Sequence, residues 1–155
     1  MKAWNLCLAV GLSLFLLSSI AFADIDQILG NWKNTEPLTR GLPLVEIAAK
    51  GHILTVHAWG KGHPVDLDWG TVEAVAYAEK VESPLPKEAI AISAVFKTSY
   101  SETILIIRPI EGNQLKVENL TRFTDDSGRS AFRKEYTFTR TDAEKSKANG
   151  GVESR

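Results

Sequence analysis

Apolar and polar positions alternate with a period of two along much of this chain. In the stretch 114–124, Leu115, Val117, Asn119, Thr121 and Phe123 share one face, while Lys116, Glu118 and Arg122 share the other, with Leu120 as the exception. Tyr136 and Phe138 alternate in the same way with Glu135, Thr137 and Thr139. Successive side chains of a strand point to opposite faces, so this pattern describes a sheet with one buried and one wet face. The run 104–107 is apolar on both faces, and periodicity does not orient it. Runs rich in β-formers and bounded by turn residues predict eight strands: 30–34, 43–49, 52–59, 66–78, 89–98, 102–110, 114–124 and 132–140.

The separators have physical reasons. Lys50-Gly51 and Glu111-Gly112-Asn113 suit tight hairpins, because Gly adopts positive φ without steric cost. Asp125-Asp126-Ser127-Gly128 has the composition of a longer turn. Ser83-Pro84-Leu85-Pro86 reads as a loop, since each Pro removes a ladder donor. Thr98-Ser99-Tyr100-Ser101 is a further turn, and 24–29 reads as a short helical turn before the first strand. No stretch of helical period competes in length. Short strands with short connections predict an all-β fold, an eight-stranded up-and-down antiparallel barrel whose closure removes both sheet edges. A two-sheet β-sandwich is the alternative.

The ends of the chain have a different character. Lys2, an apolar run over 6–20 and Ala21-Phe22-Ala23 before Asp24 form the pattern of a secretory signal peptide, with cleavage expected after Ala23. The apolar run is shorter than the roughly 20 residues that span a bilayer. The expected organisation is a signal peptide at 1–23, a barrel domain at 24–140 and a disordered tail at 141–155, whose only large apolar residue is Val152. The protein is therefore expected to be secreted or periplasmic, with no integral membrane segment after cleavage.

Removing residues 1–23 takes Lys2 from the 18 Lys and Arg, leaving 17 against 19 Asp and Glu, a net charge of −2. That balance offers no basic footprint for nucleic acid. Cys7, the only cysteine, leaves with the signal, so the mature part has no thiol chemistry, disulfide or cysteine metal site.

Gly30-Asn31-Trp32-Lys33-Asn34 opens the first strand after the short turn. This Gly-x-Trp resembles the calycin barrels, lipocalins and avidins among them, and the Asn two residues after the Trp is similar to the avidin pattern. The resemblance implies a barrel, and a basic residue, Arg133 or Arg140, packed on Trp32. A second set, Thr39-Arg40-Gly41, Val56-His57-Ala58-Trp59-Gly60, His63-Pro64 and Asp68-Trp69-Gly70, resembles uncharacterised bacterial exported β-domains. Those domains carry cysteines at the places of Gly62 and Leu67. This chain has neither, so no staple of that loop is available, and the resemblance implies no activity.

Candidate chemistry concentrates in 56–70. Trp59 and Trp69 flank a loop near one expected barrel end, and His57, His63, Asp66 and Asp68 lie in or beside it. Indoles offer a large apolar face and one donor, which suits a binding rim, although both would equally serve as core. The His and Asp spacing matches no compact zinc motif, so no metal site is expected. Arg40 is a candidate anchor for a ligand carboxylate or phosphate, with pairing to a surface acid as the commoner role. Glu46 and Glu73 read as solvated carboxylates on a sheet face. No nucleophile elbow, phosphate loop or nucleotide fingerprint is present, so no catalytic residue is assigned and no cofactor is expected. The function expected is non-catalytic binding of a small molecule or glycan at one barrel end. The alternatives are a hydrolytic enzyme using a His/Asp pair within 57–68 and an envelope protein-interaction module.

Overall fold

The computed structural model describes residues 24–141. The expected signal peptide, and all of the expected tail beyond Thr141, lie outside the described residues. A 3₁₀ turn, Ile25–Gln27, leads into eight strands: β1 Gly30–Asn34, β2 Leu44–Lys50, β3 Ile53–Gly60, β4 Leu67–Tyr77, β5 Ala91–Lys97, β6 Ser101–Ile110, β7 Gln114–Phe123 and β8 Phe132–Arg140. Each pairs antiparallel with its sequence neighbour, and β1 pairs with β8, so the meander closes into a barrel. All eight expected strands are present, with ends shifted by no more than about two residues, and the closed barrel replaces the sandwich alternative.

The inner face is the one that alternation selects. Leu115, Val117, Asn119 and Thr121 are buried on β7, with Tyr136 and Phe138 beside them on β8. Register resolves the ambiguous run 104–107. Leu105 pairs with Asn119 and Ile107 with Val117, so both point inward, while Ile104 and Ile106 face outward. Outside, opposite charges meet across neighbouring strands. Glu102 pairs with Lys97 and Arg122, and Glu118 with Arg108 and Arg133. These exposed pairs fix register more than they stabilise.

One barrel end is closed by the N-terminal turn. Ile28 is fully buried, and the Ile25 amide donates to the Lys87 carbonyl at 3.0 Å. Trp32 lies inside at 1% exposure, and its Nε1–H donates to the Ile28 carbonyl at 2.9 Å. The Arg140 guanidinium covers the indole at 4.4 Å from the ring centroid. It also donates to the carbonyls of Asp26, Gln27 and Leu29, which the short turn leaves without backbone partners. Of the two arginines considered for Trp32, Arg140 therefore makes the contact, while Arg133 sits outside with Glu118 and Glu135.

The opposite end carries the connections 35–43, 61–66, 98–100 and 124–131. The first folds partly across the mouth. Leu42 and Thr39 are buried, and Asn34 holds the loop by donating to the Leu42 carbonyl at 2.8 Å and accepting from the Glu36 amide at 2.8 Å. A β-carbon on Gly41 would overlap the Tyr136 hydroxyl, so the loop lies directly on that ring. β1 pairs with β8 only at Phe138–Arg140, which leaves 132–136 without a strand neighbour on that side.

Candidate functional site

The structure separates the residues gathered in 56–70. A β-bulge decides where they go. His57 pairs with Thr71 and Trp59 with Asp68, so Ala58 faces two residues, Trp69 and Gly70. Gly70 takes φ +79, a conformation that side chains rarely adopt. The extra residue turns Trp69 inward while Asp68 and Thr71 stay outside. Trp69 packs edge-on against the buried Phe96 at 5.6 Å between ring centroids, and a β-carbon on Gly60 would overlap its indole nitrogen.

Trp59 is on the outer wall, stacked on His57 at 3.9 Å with an interplanar angle of 15°. The two indoles thus share one barrel end but occupy opposite faces of the sheet. His57 Nε2 meets Asp68 Oδ1 at 2.6 Å, and the same oxygen accepts from the Gly70 amide at 2.7 Å. The Gly70 N–H first, and His57 second, hold the Asp68 carboxyl below its ordinary range. Glu46, Ala48, Thr55 and Thr71 surround His57 in a shallow cleft of about 160 Å³. Asp66 turns away to Lys61 Nζ at 2.9 Å, and Lys61 lowers its pKa. His63 lies exposed on the loop, and Arg40 is exposed on 35–43 with no ion pair among the described residues, in place of the surface acid expected for it. No group of three or more His, Cys, Asp or Glu side chains converges as a metal site among the described residues.

Five carboxylates, Asp66, Asp68, Glu102, Glu118 and Asp125, have pKa values lowered by hydrogen-bonded partners. A carboxylate depressed on folding contributes stability above its unfolded pKa and loses it as pH falls through the folded value. The melting temperature should therefore fall as pH drops below about 4, the unperturbed carboxylate range. Glu118→Gln should make that acid limb shallower. A melting temperature level down to about pH 2 would contradict the assignment.

A different set converges inside the mouth. Register places Phe96, Thr103, Thr121 and Phe132 side by side across β5, β6, β7 and β8. One row deeper are Ala94, Leu105, Asn119 and Lys134. Thr103 Oγ1 lies 2.8 Å from Thr121 Oγ1, and the Thr121 hydroxyl donates to Asn119 Oδ1 at 2.7 Å. Thr121 spends its one proton on Asn119, so Thr103 must be the donor to Thr121. The relay ends on the amide oxygen and leaves the Asn119 nitrogen with no protein acceptor among the described residues.

Asn119 is only 4% exposed, yet no fully enclosed side-chain polar atom lacks a partner among the described residues. Its nitrogen therefore keeps some contact with solvent. Lys134, directly opposite, is exposed despite lying one row below Phe132, because β8 has no strand neighbour there. Its ammonium stands 5.1 Å from the centroid of the buried Tyr136 ring, and no carboxylate pairs with it among the described residues. Burial first, and the Glu36 charge second, raise the Tyr136 pKa.

Sequence reasoning missed Asn119, Lys134 and the two threonines as a group. The signal was present in the alternation. Asn119 interrupts an inward apolar face, and Lys134 has the parity of Tyr136 and Phe138.

An open groove of about 360 Å³ is lined by Ile104 and Leu120 of the outer wall, by Thr121 and Phe132 of the mouth row and by Ala131, and is edged by Glu102, Arg122 and Arg133. No helix among the described residues is long and apolar enough to cross a membrane. Fold and site together define a closed antiparallel meander barrel with one plugged and one partly open end. Searches of protein-family models, curated proteins and solved structures matched nothing.

Proposed function

We propose that this chain is an exported, non-catalytic β-barrel protein that binds a small molecule at its open end. The observation that carries the reading is the Thr103–Thr121–Asn119 relay ending on an unpartnered amide nitrogen within an aromatic mouth. Binding sites are concave and apolar with a few convergent polar groups, and an uncommitted donor in such a place supplies one. Trp69 is the indole that belongs to this site. Trp59 and His57, on the outer wall, do not reach it. The calycin resemblance of Gly30-Asn31-Trp32 agrees with a barrel used in this way, and the leader pattern at 1–23 agrees with export to the periplasm or beyond.

The neutral fluorophore N-phenyl-1-naphthylamine tests the reading. It should bind saturably at one site and quench Trp69. Thr121→Leu, which breaks the relay and fills the space above Asn119, should weaken binding by about tenfold, the worth of roughly 1.4 kcal/mol. Equal binding by the variant, or no saturable binding at all, would refute it.

Two observations favour other readings. The His57–Asp68 contact fits the hydrolytic alternative; no side-chain hydroxyl hydrogen-bonds to His57 among the described residues, so the pair would act as acid and base on water. The outer groove at Ile104 and Leu120 fits a protein-interaction module.

A further inference from the structure

We propose that the open end selects small organic anions, with Lys134 and the Asn119 amide as the seat of the carboxylate or sulfonate and Phe96 and Trp69 facing the apolar body. The inference rests on the open-end reading and deepens it by assigning the ligand's charge. Lys134 and Asn119 are register partners on β8 and β7. Side chains directly opposite in an antiparallel pair have β-carbons about 4.5–5.5 Å apart. One anionic group can therefore meet both the ammonium and the amide N–H donors.

Each donor is available. Thr121 occupies the Asn119 oxygen, which fixes the amide with its nitrogen free. Among the described residues, Lys134 meets the Tyr136 ring face and no carboxylate, and that contact leaves its N–H groups unspent. The other cations near the mouth differ. Lys61 is held by Asp66 and Arg129 by Asp125. Arg40, on the loop folded across the mouth, has no ion pair among the described residues and adds to the positive field at the entrance.

The seat is lined by hydroxyl, amide and aromatic groups. Glu36 acts on Tyr136 from the loop side, and neither it nor any other carboxylate pairs with Lys134 among the described residues. An ammonium–anion hydrogen bond is stronger than a neutral one. A ligand with an anionic head and an aromatic body would thus gain over its neutral counterpart through the head alone.

A charged side chain turned inward beside an unpaired strand edge can also serve to block edge-to-edge pairing. The test separates the two roles. N-phenyl-1-naphthylamine and 8-anilinonaphthalene-1-sulfonate share one skeleton and differ by the sulfonate. The purified protein should bind the sulfonate about tenfold more tightly than the neutral amine, as expected for one charge-assisted hydrogen-bonded contact.

In Lys134→Met the ratio of the two affinities should collapse to about one, and in Lys134→Arg it should persist. Rising salt should reduce the ratio in the wild type. Near-UV circular dichroism checks that both variants are folded. Equal affinities in the wild type, or a ratio unchanged by Lys134→Met, would overturn the anion seat while leaving the open-end reading intact. Failure of both probes to bind would instead remove the open-end reading. Self-association of Lys134→Met with an unchanged ratio would assign the lysine to edge protection.

Discussion

Replacing Trp32 with Ala should destabilise the barrel by about 3–5 kcal/mol, the usual cost of truncating a buried large aromatic. Three losses coincide at this position. The indole is 1% exposed, so its removal leaves a cavity at the plugged end. The Ile28 carbonyl loses its 2.9 Å partner. Arg140 loses the aromatic face beneath a guanidinium that also holds the carbonyls of Asp26, Gln27 and Leu29. Trp32→Phe restores most of the volume but not the N–H, and should cost about 1–2 kcal/mol. Urea unfolding measures both. Trp59→Ala, on the outer wall, should cost clearly less than Trp32→Ala. Equal losses at Trp32 and Trp59 would mean that the plugged end is not where the stability resides.

Gly41→Ala should be the second severe change, at about 1–3 kcal/mol, although its side chain gains only a methyl group. The added carbon would overlap the Tyr136 hydroxyl, and overpacking forces either the ring or the loop 35–43 to move. Tyr136→Phe removes the overlapping oxygen. The double variant should therefore be more stable than the sum of the two single losses predicts, with a coupling energy of about 0.5 kcal/mol or more. Additive losses would show that the loop does not rest on Tyr136.

The strands and their inner face were legible because alternation and turn chemistry are local. Leu115, Val117 and Phe138 could be assigned inward from neighbours two residues away. The run 104–107 could not, because both parities are apolar; it is oriented by its pairing with β7, where Asn119 lies opposite Leu105.

Trp69 was out of reach for a different reason. Its inward direction depends on one extra residue at the bulge, made possible by Gly70, and an insertion of one reverses every face that follows. The same bulge brings Asp68 beside His57, a contact that spacing along the chain does not suggest. The relay at the mouth is likewise non-local. Thr103 and Thr121 are 18 residues apart and become neighbours only through the β6–β7 register. Arg140 on Trp32 came within a choice of two positions, since both arginines flank the last strand. Register decides it, placing Arg140 opposite Trp32 and Arg133 opposite Leu120.

The most direct test of the account is to locate the bound probe by amide chemical-shift changes on titrating N-phenyl-1-naphthylamine into isotope-labelled protein. The account predicts saturable shifts grouped on Trp69, Phe96, Thr103, Asn119 and Lys134, with His57, Trp59 and Asp68 on the opposite face of the wall unmoved. Shifts centred on the outer wall at His57 and Trp59, or in the groove at Ile104 and Leu120 with the inner rows silent, would contradict it.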